Sequence, residues 1–277
     1  MKATVPIRQL CAVLSISRSW FYQANDQPPS TEDTALRSRI EDIIVEFPGY
    51  GYRRVTKTLE REDQVVNHKR VLRIMREESL LCQLKRRWVT TTDSRHRLGS
   101  FPNHTRDLVL TGLNQLWVAD MTYIRLPKGF VYLAAILDAF SRKVIGWALS
   151  RWIDTALALQ ALDHALRTRE VPAGLIHHSD HGVQYASVAY VERLQEKGIT
   201  ISMAAVGNPY ENAKAESFFK TLKSEEVYLK EYADQAEAEK QLGYFIDAVY
   251  NEKRLHSSLN YRPPNEFEAL STKLAVA

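Results

Sequence analysis

Cysteine is nearly absent from this chain: Cys11 and Cys82 are the two among 277 residues. They are too few and too scattered for a disulfide framework or a zinc knuckle, so a reducing cytoplasm is the expected setting. No apolar run approaches the ~18 residues of a membrane span. Residues 1–25 carry Lys2, Arg8 and Arg18 with no uninterrupted apolar stretch behind them, which argues against a secretory signal. No heptad zipper is visible. Net charge is also small, since 37 Lys+Arg against 33 Asp+Glu leave +4. What remains is a soluble globular composition, long enough for one catalytic domain plus a smaller one.

The charge that is present is unevenly spread. Residues 1–110 hold 19 Lys+Arg and 13 Asp+Glu, leaving 18 and 20 for the remainder. The stretch 66–106 is the most lopsided, with Lys69, Arg70, Arg73, Arg76, Lys85, Arg86, Arg87, Arg95, Arg97 and Arg106 against three acids. A basic N-terminal half suits a polyanion such as nucleic acid. A solvated charged surface explains the same numbers equally well.

Four regions follow from the patterning. In residues 1–25, Ile7, Leu10, Cys11 and Leu14 share a helical face, and Ser15 to Tyr22 reads as a turn into a second short helix, the outline of a small helix-turn-helix. Residues 26–83 open on a Pro-Pro linker. They predict a helix from Thr31 to about Phe47, a stop at Pro48-Gly-Tyr-Gly-Tyr, a helix over 53–61 and another capped by Asn67. Arg53, Arg54, Lys69, Arg70 and Arg73 lie on the polar faces of that pair, whose geometry also suits a DNA-binding helix-turn-helix. Residues 84–107, with Lys85, Arg86 and Arg87, read as a basic connector that orders on nucleic acid. From Leu108 to Ala277 the pattern turns to strands at 115–124, 130–139 and 142–149, a helix over 154–169, and a strand over 175–179. A helix over 188–197, a strand over 199–203, a helix opened by Asn208-Pro209 and a last helix over 234–250 complete it. This is a mixed five-stranded α/β order, that of an RNase-H-like domain.

Three acids stand out within it. Asp120 lies on a strand that should be central and apolar, where a charge is costly unless paired or metal-bound. Asp180 ends the strand 175–179, and Glu216 lies two turns into the Asn208 helix. Fifty-nine residues separate the first pair and 35 the second. Singly, each has an ordinary structural reading: a strand-end Asp, a turn cap, a Glu216/Lys220 surface pair. Acids distant in sequence that converge in space are what two-metal phosphoryl transfer requires, and magnesium favours carboxylate ligands. Asn212, Lys220 and Lys223 share the helical face of Glu216 and are candidate DNA or phosphate contacts. Gln184 and Tyr185 are candidates for the site edge, Trp20 and Trp88 for stacking on bases. Asp138 reads as a turn residue beside Arg142. His177, His178 and His181 raise zinc as an alternative, but no cysteine lies near.

Several segments together resemble one family. They are Trp117-Val-Ala-Asp-Met-Thr-Tyr-Ile, Tyr132-Leu-Ala-Ala-Ile-Leu-Asp-Ala-Phe-Ser-Arg-Lys-Val-Ile-Gly-Trp, His178-Ser-Asp-His-Gly-Val-Gln-Tyr, Asn212-Ala-Lys-Ala-Glu-Ser-Phe-Phe-Lys-Thr-Leu-Lys-Ser-Glu and Tyr250-Asn-Glu-Lys-Arg-Leu-His-Ser-Ser-Leu. The chain is similar along nearly its whole length to second-frame (OrfB-type) transposases of IS3 insertion sequences, within the DDE transposase/retroviral-integrase superfamily. The resemblance implies that Asp120, Asp180 and Glu216 hold two Mg²⁺ ions, with Mn²⁺ as a substitute. It implies cleavage and joining of DNA at element ends without a covalent intermediate. The implied partners are double-stranded DNA (terminal repeats and target), further copies of the chain in a dimer or larger assembly, and a product of an upstream frame, in a cytoplasmic, nucleoid-associated setting. Glu211 and His181 depart from the usual residues of that family. Two rival classes remain at this stage: a non-catalytic DNA-binding protein, and an RNase-H-like nuclease that cuts without joining.

Overall fold

The computed structural model describes residues 7–13, 15, 17–19, 31–82, 101–205 and 212–276. In the first expected helix-turn-helix, only α1 (Ile7–Val13) is an element within those residues; Trp20 and Tyr22 lie outside them, as do Lys85, Arg86, Arg87 and Trp88.

Three helices then form a small bundle: α2 (Thr31–Glu46), α3 (Tyr52–Arg61) and α4 (His68–Glu77). The Asn67 side chain accepts the backbone N–H of Lys69 at 2.8 Å and caps α4. Apolar residues at helical spacing close the bundle: Leu36, Ile40 and Ile43 from α2, Val55 and Leu59 from α3, Val71, Ile74 and Met75 from α4. Each such buried aliphatic contributes about 1.5–3 kcal/mol. Leu255, from far along the chain, joins the same cluster.

The remainder is built on a five-stranded sheet of β1 (Leu116–Arg125), β2 (Phe130–Asp138), β3 (Val144–Ser150), β4 (Ile176–Ser179) and β5 (Thr200–Met203). Their spatial order is β3-β2-β1-β4-β5. The β1/β2 and β2/β3 pairs are antiparallel, and β1/β4 and β4/β5 are parallel. Antiparallel neighbours need only tight turns, whereas parallel ones need the helical crossovers α5 (Thr155–Thr168) and α6 (Val188–Glu196). The mixed sheet expected from the sequence is present, with strand bounds within two residues.

Alternation along β1 divides the interior into two layers. Trp117 and Ala119 face α5 and α6 with Leu157, Ala161, Leu162, Tyr190 and Leu194. Leu116, Val118 and Ile124 face α7 (Ala213–Leu222) and α8 (Gln235–Tyr244), with Phe218, Phe219, Leu222 and Leu242. Gly146 lets β3 approach α5: a Cβ there would stand 2.4 Å from the Ala161 carbonyl and 2.6 Å from the Ala165 nitrogen.

The C-terminal part differs from expectation at its helix ends and in one further helix. Helix α7 starts at Ala213, and the Asn208-Pro209 opening lies outside the described residues. Its last turns are π-helical, Lys223–Val227, as are those that extend α8 over Phe245–Asn251. A further helix, α9 (Pro264–Val276), was not read from the sequence. It is fixed by Glu268, which is buried and accepts from Arg169 at 2.6 and 2.7 Å and from Ser141 at 2.6 Å.

Candidate active site

The register of β1 and β4 sets two of the acids side by side. Ala119 pairs with Ser179, the last residue of β4. The next residues are Asp120 and Asp180, so both emerge where β4 stops and β1 runs on to Arg125. Asp120 has the parity of Val118 and therefore the side of the sheet covered by α7. That helix buries Ala215, Phe218, Phe219 and Leu222 and leaves Glu216 and Lys220 exposed.

The Asp120 carboxyl feels the charge of both other acids. The half-buried Asp120 carboxyl is pushed up to about 8, first by desolvation and then by the charge of Asp180, with that of Glu216 adding to it. The Met121 N–H, 2.8 Å away, and the Lys223 ammonium act in the opposite direction. Glu216 is also raised, by desolvation of its carboxylate end, although the residue as a whole is exposed. Asp180 accepts the Gly182 N–H at 3.1 Å. Lys223 lies 4.7 Å over the Tyr123 ring, and its ammonium is lowered by desolvation while Asp120 offsets this. A lysine beside an acid-rich notch suits phosphate binding better than a lysine on an open helix face.

Asn212 is placed differently from the expected DNA contact or cap. It is buried, makes no side-chain capping bond, and donates from Nδ2 to the Ala119 carbonyl at 3.0 Å. It thus ties the start of α7 to the residue before Asp120. Gln184 is half-buried and donates to the Ile153 carbonyl at 3.0 Å. Tyr185 is buried rather than at the edge; its hydroxyl finds no hydrogen-bond partner, and burial raises it well above the usual phenol range, with Asp120 and Asp180 adding to the shift. Its placement shows no signal in the sequence beyond adjacency to the Asp180 turn.

The histidines do not gather. His177 meets the Tyr190 hydroxyl at 3.0 Å and is lowered to about 3 by burial, while His178 meets Ser202 Oγ at 2.9 Å across the sheet. Asp138 is a buried turn residue that accepts the N–H groups of Asn114, Phe140 and Ser141. Among the described residues, no three His, Cys, Asp or Glu side chains are grouped tightly enough to hold one ion.

The helical candidates for DNA contact divide. Arg53 and Lys69 are exposed. Arg70 donates to Asp33 at 2.9 Å, and Arg73 pairs with Asp33 and Glu77. Arg54 is half-buried, 5.5 Å over the Tyr50 ring, and lowered by desolvation and by Arg254. It is therefore an internal residue of the bundle's contact with the sheet domain. Arg254 and His256 are buried there too and offer no surface to DNA.

Carboxylates at a strand notch over a mixed five-stranded sheet, preceded by a helical bundle, define a polynucleotidyl transferase core with an attached nucleic-acid-binding unit. Family models agree: residues 111–209 and 197–264 match integrase core domains, and 31–88 match an HTH-like domain. The chain is 35% identical over 273 residues to the insertion element IS600 uncharacterized 31 kDa protein of Shigella sonnei, covering 96% of this chain and 100% of that one. It is 35% identical to the transposase for insertion sequence element IS629 of the same species, covering 94% and 90%. It is 31% identical to transposase InsF for insertion sequence IS3A of Escherichia coli K12, covering 96% and 95%. The chain belongs to the IS3 family of insertion-sequence transposases, within the DDE transposase/integrase superfamily. Such a core implies use of a divalent metal and binding of DNA. The donor chemistry fits that metal: Asp120 and Asp180 offer hard carboxylate oxygens at adjoining strand ends, and Asp120, raised first by desolvation and then by the charges of Asp180 and Glu216, is a carboxyl that such a cation would neutralise, although the three acids are not drawn into a closed cluster. No helix among the described residues is long and apolar enough to cross a membrane.

Proposed function

We propose that this transposase cleaves the ends of its insertion element and joins them to other DNA at the notch formed by Asp120, Asp180 and Glu216. The observation that carries the reading is the raised Asp120 carboxyl, whose charge partners are the two other acids. Asp120, Asp180 and Glu216 would together hold the divalent cations, Mg²⁺ or Mn²⁺ in its place. Bound there, the cations would supply activation of the attacking oxygen and charge stabilisation of the leaving one.

The residues of the chain do the rest. Lys223, beside Asp120, and Lys220, one turn beyond Glu216, hold the phosphates that flank the scissile bond. Asn212 keeps α7 at a fixed distance from β1. Water attacks the phosphodiester in line, a new P–O bond forms and the bond to the 3′ oxygen breaks. The freed 3′-OH then attacks a second phosphodiester in line: a new P–O bond joins the strands, the bond to the 3′ oxygen of the attacked strand breaks and that oxygen leaves as a 3′-OH, so one site serves both steps. Paired ends call for at least two copies of the chain on DNA.

The test is a Mg²⁺-dependent cleavage and joining assay on duplexes carrying the element's own ends, comparing wild type with Glu216→Gln. The substitution keeps size and helix propensity and removes the charge. The expected result is retained DNA binding with both reactions lost by about a thousandfold or more. Equal activity would make Glu216 structural. Cleavage without joining by wild type would favour a nuclease.

A further inference from the structure

The segment Tyr50-Gly-Tyr-Arg-Arg and the segment around Arg254 and His256 had no settled role in the sequence. In the structure they meet, and they meet the helix that carries Glu216. Helix α7 continues without a break into the π-helical turns Lys223–Val227. Glu225 therefore stands nine residues beyond Glu216 on the same rod, about 13 Å along it. Glu225 is buried and accepts two bonds from buried Arg254, each 2.7 Å.

The far side of Glu225 abuts the HTH-like unit. A Cβ on Gly49 would lie 2.3 Å from Glu225 Oε1 and 2.4 Å from its Cγ. Glu225 cannot swing away without breaking its Arg254 fork, so Gly49 and Glu225 fit one another as a plug and seat. The contact is reinforced on both sides. The Leu255 N–H donates to the Tyr50 hydroxyl at 2.7 Å, and Leu255 sits in the apolar cluster of the bundle. Tyr250 joins Arg254's neighbour His256, ring centroids 4.8 Å apart, to Phe218 of α7, 4.9 Å apart.

We propose that Glu225 is a positioning residue: clamped by Arg254 and seated on Gly49, it sets the axial placement of the Glu216 helix by the seating of the HTH-like unit. Binding of DNA by that unit and placement of the third acid are then energetically coupled through one helix. The inference rests on the reading of Glu216 as an acid of the active site. π-Helical turns inside an α-helix recur at functional sites, and here they fall between the acid and the seat.

The experiment uses the full chain and a duplex carrying the element's own end. Gly49→Ala is the main probe, because it lies outside the acid notch and acts by pushing on Glu225. Three quantities are read: the dissociation constant for end DNA, the joining rate with DNA saturating, and hydrogen exchange of residues 213–222 with and without DNA. The expected result is a dissociation constant within about twofold of wild type, a joining rate down about tenfold or more, and loss of the DNA-dependent protection of 213–222. A Gly49→Ala protein that joins as fast as wild type overturns the proposal. So does one that joins at the wild-type rate once DNA is saturating and differs only in its dissociation constant. If Gly49→Ala does not melt cooperatively, Glu225→Asp decides: it keeps the charge, shortens the reach, and must show the same split between affinity and rate. Glu216→Gln is run alongside. Full joining by that variant refutes the acid assignment, while the hydrogen-exchange result still judges the coupling.

Discussion

Replacing Asp120 with Asn should stabilise the metal-free protein, and the gain should grow with pH. The folded Asp120 carboxyl titrates at about 8 against an ordinary 3.8. A folded value above the unfolded one means that the folded state retains the proton. The associated stability is fully present below about 4 and is lost as pH rises through 8. Between pH 5 and pH 8 the loss has a ceiling of about 4 kcal/mol, three pH units at about 1.4 kcal/mol each. Asp120 is half-buried, so solvent screening reduces this to roughly 2 kcal/mol. Asn is neutral in both states and escapes it. Thermal melts in EDTA at pH 5 and pH 8 measure the effect. At this size about 2–4 °C corresponds to 1 kcal/mol, so the Asp120→Asn advantage should widen by about 4–8 °C from pH 5 to pH 8. Excess Mg²⁺ at pH 8 should raise the melting temperature of wild type but not of the variant. An advantage that stays constant with pH would refute the convergence of the three acids in the free protein.

Other outcomes follow from single contacts. Asp33→Asn releases Arg70 from its carboxylate partner and leaves Arg73 with Glu77, so binding to mixed-sequence DNA should tighten and its logarithmic salt slope should steepen by about one, read by fluorescence anisotropy across salt. Arg169→Gln leaves the buried Glu268 without its two strongest bonds and should cost about 3 kcal/mol in denaturant unfolding, with early proteolysis within α9. Asn212→Ala removes the bond to the Ala119 carbonyl; a loss of about 1–3 kcal/mol is expected, with slower joining at unchanged affinity for end DNA.

Much of the fold was legible because the strands and crossover helices follow simple periods. Trp117, Ala119 and Met121 alternate with Leu116, Val118 and Asp120, and that parity alone indicates which layer the acid faces. The Asn67 cap and the stop at Pro48-Gly49 were equally local. The RNase-H-like strand order made the neighbouring placement of Asp120 and Asp180 readable, but not the notch, which depends on β4 being four residues long. The failures share one cause: residues whose partner is remote. Asn212 looked like a DNA or phosphate contact because it shares the face of Glu216, and its partner lies 93 positions away. Arg54 looked like a surface cation and Arg254 had no settled role, and only tertiary packing puts Tyr50 beside the first and Glu225 against the second. Helix α9 is anchored by Glu268 to Arg169 and Ser141, contacts that no periodicity reveals.

The Gly49–Glu225 seat also bears on modularity. The HTH-like unit and the catalytic core look like separable cassettes along the chain, joined by a basic connector. Yet the apolar interior of the first is completed by Leu255 of the second, and a buried fork of the second is capped by a glycine of the first. A catalytic core expressed alone would present Arg254, Glu225 and Leu255 to water. A chimera that retargets the element by importing a new recognition unit would have to bring Gly49 and Tyr50, or their equivalents, with it. The cut point is a surface, not a position in the sequence.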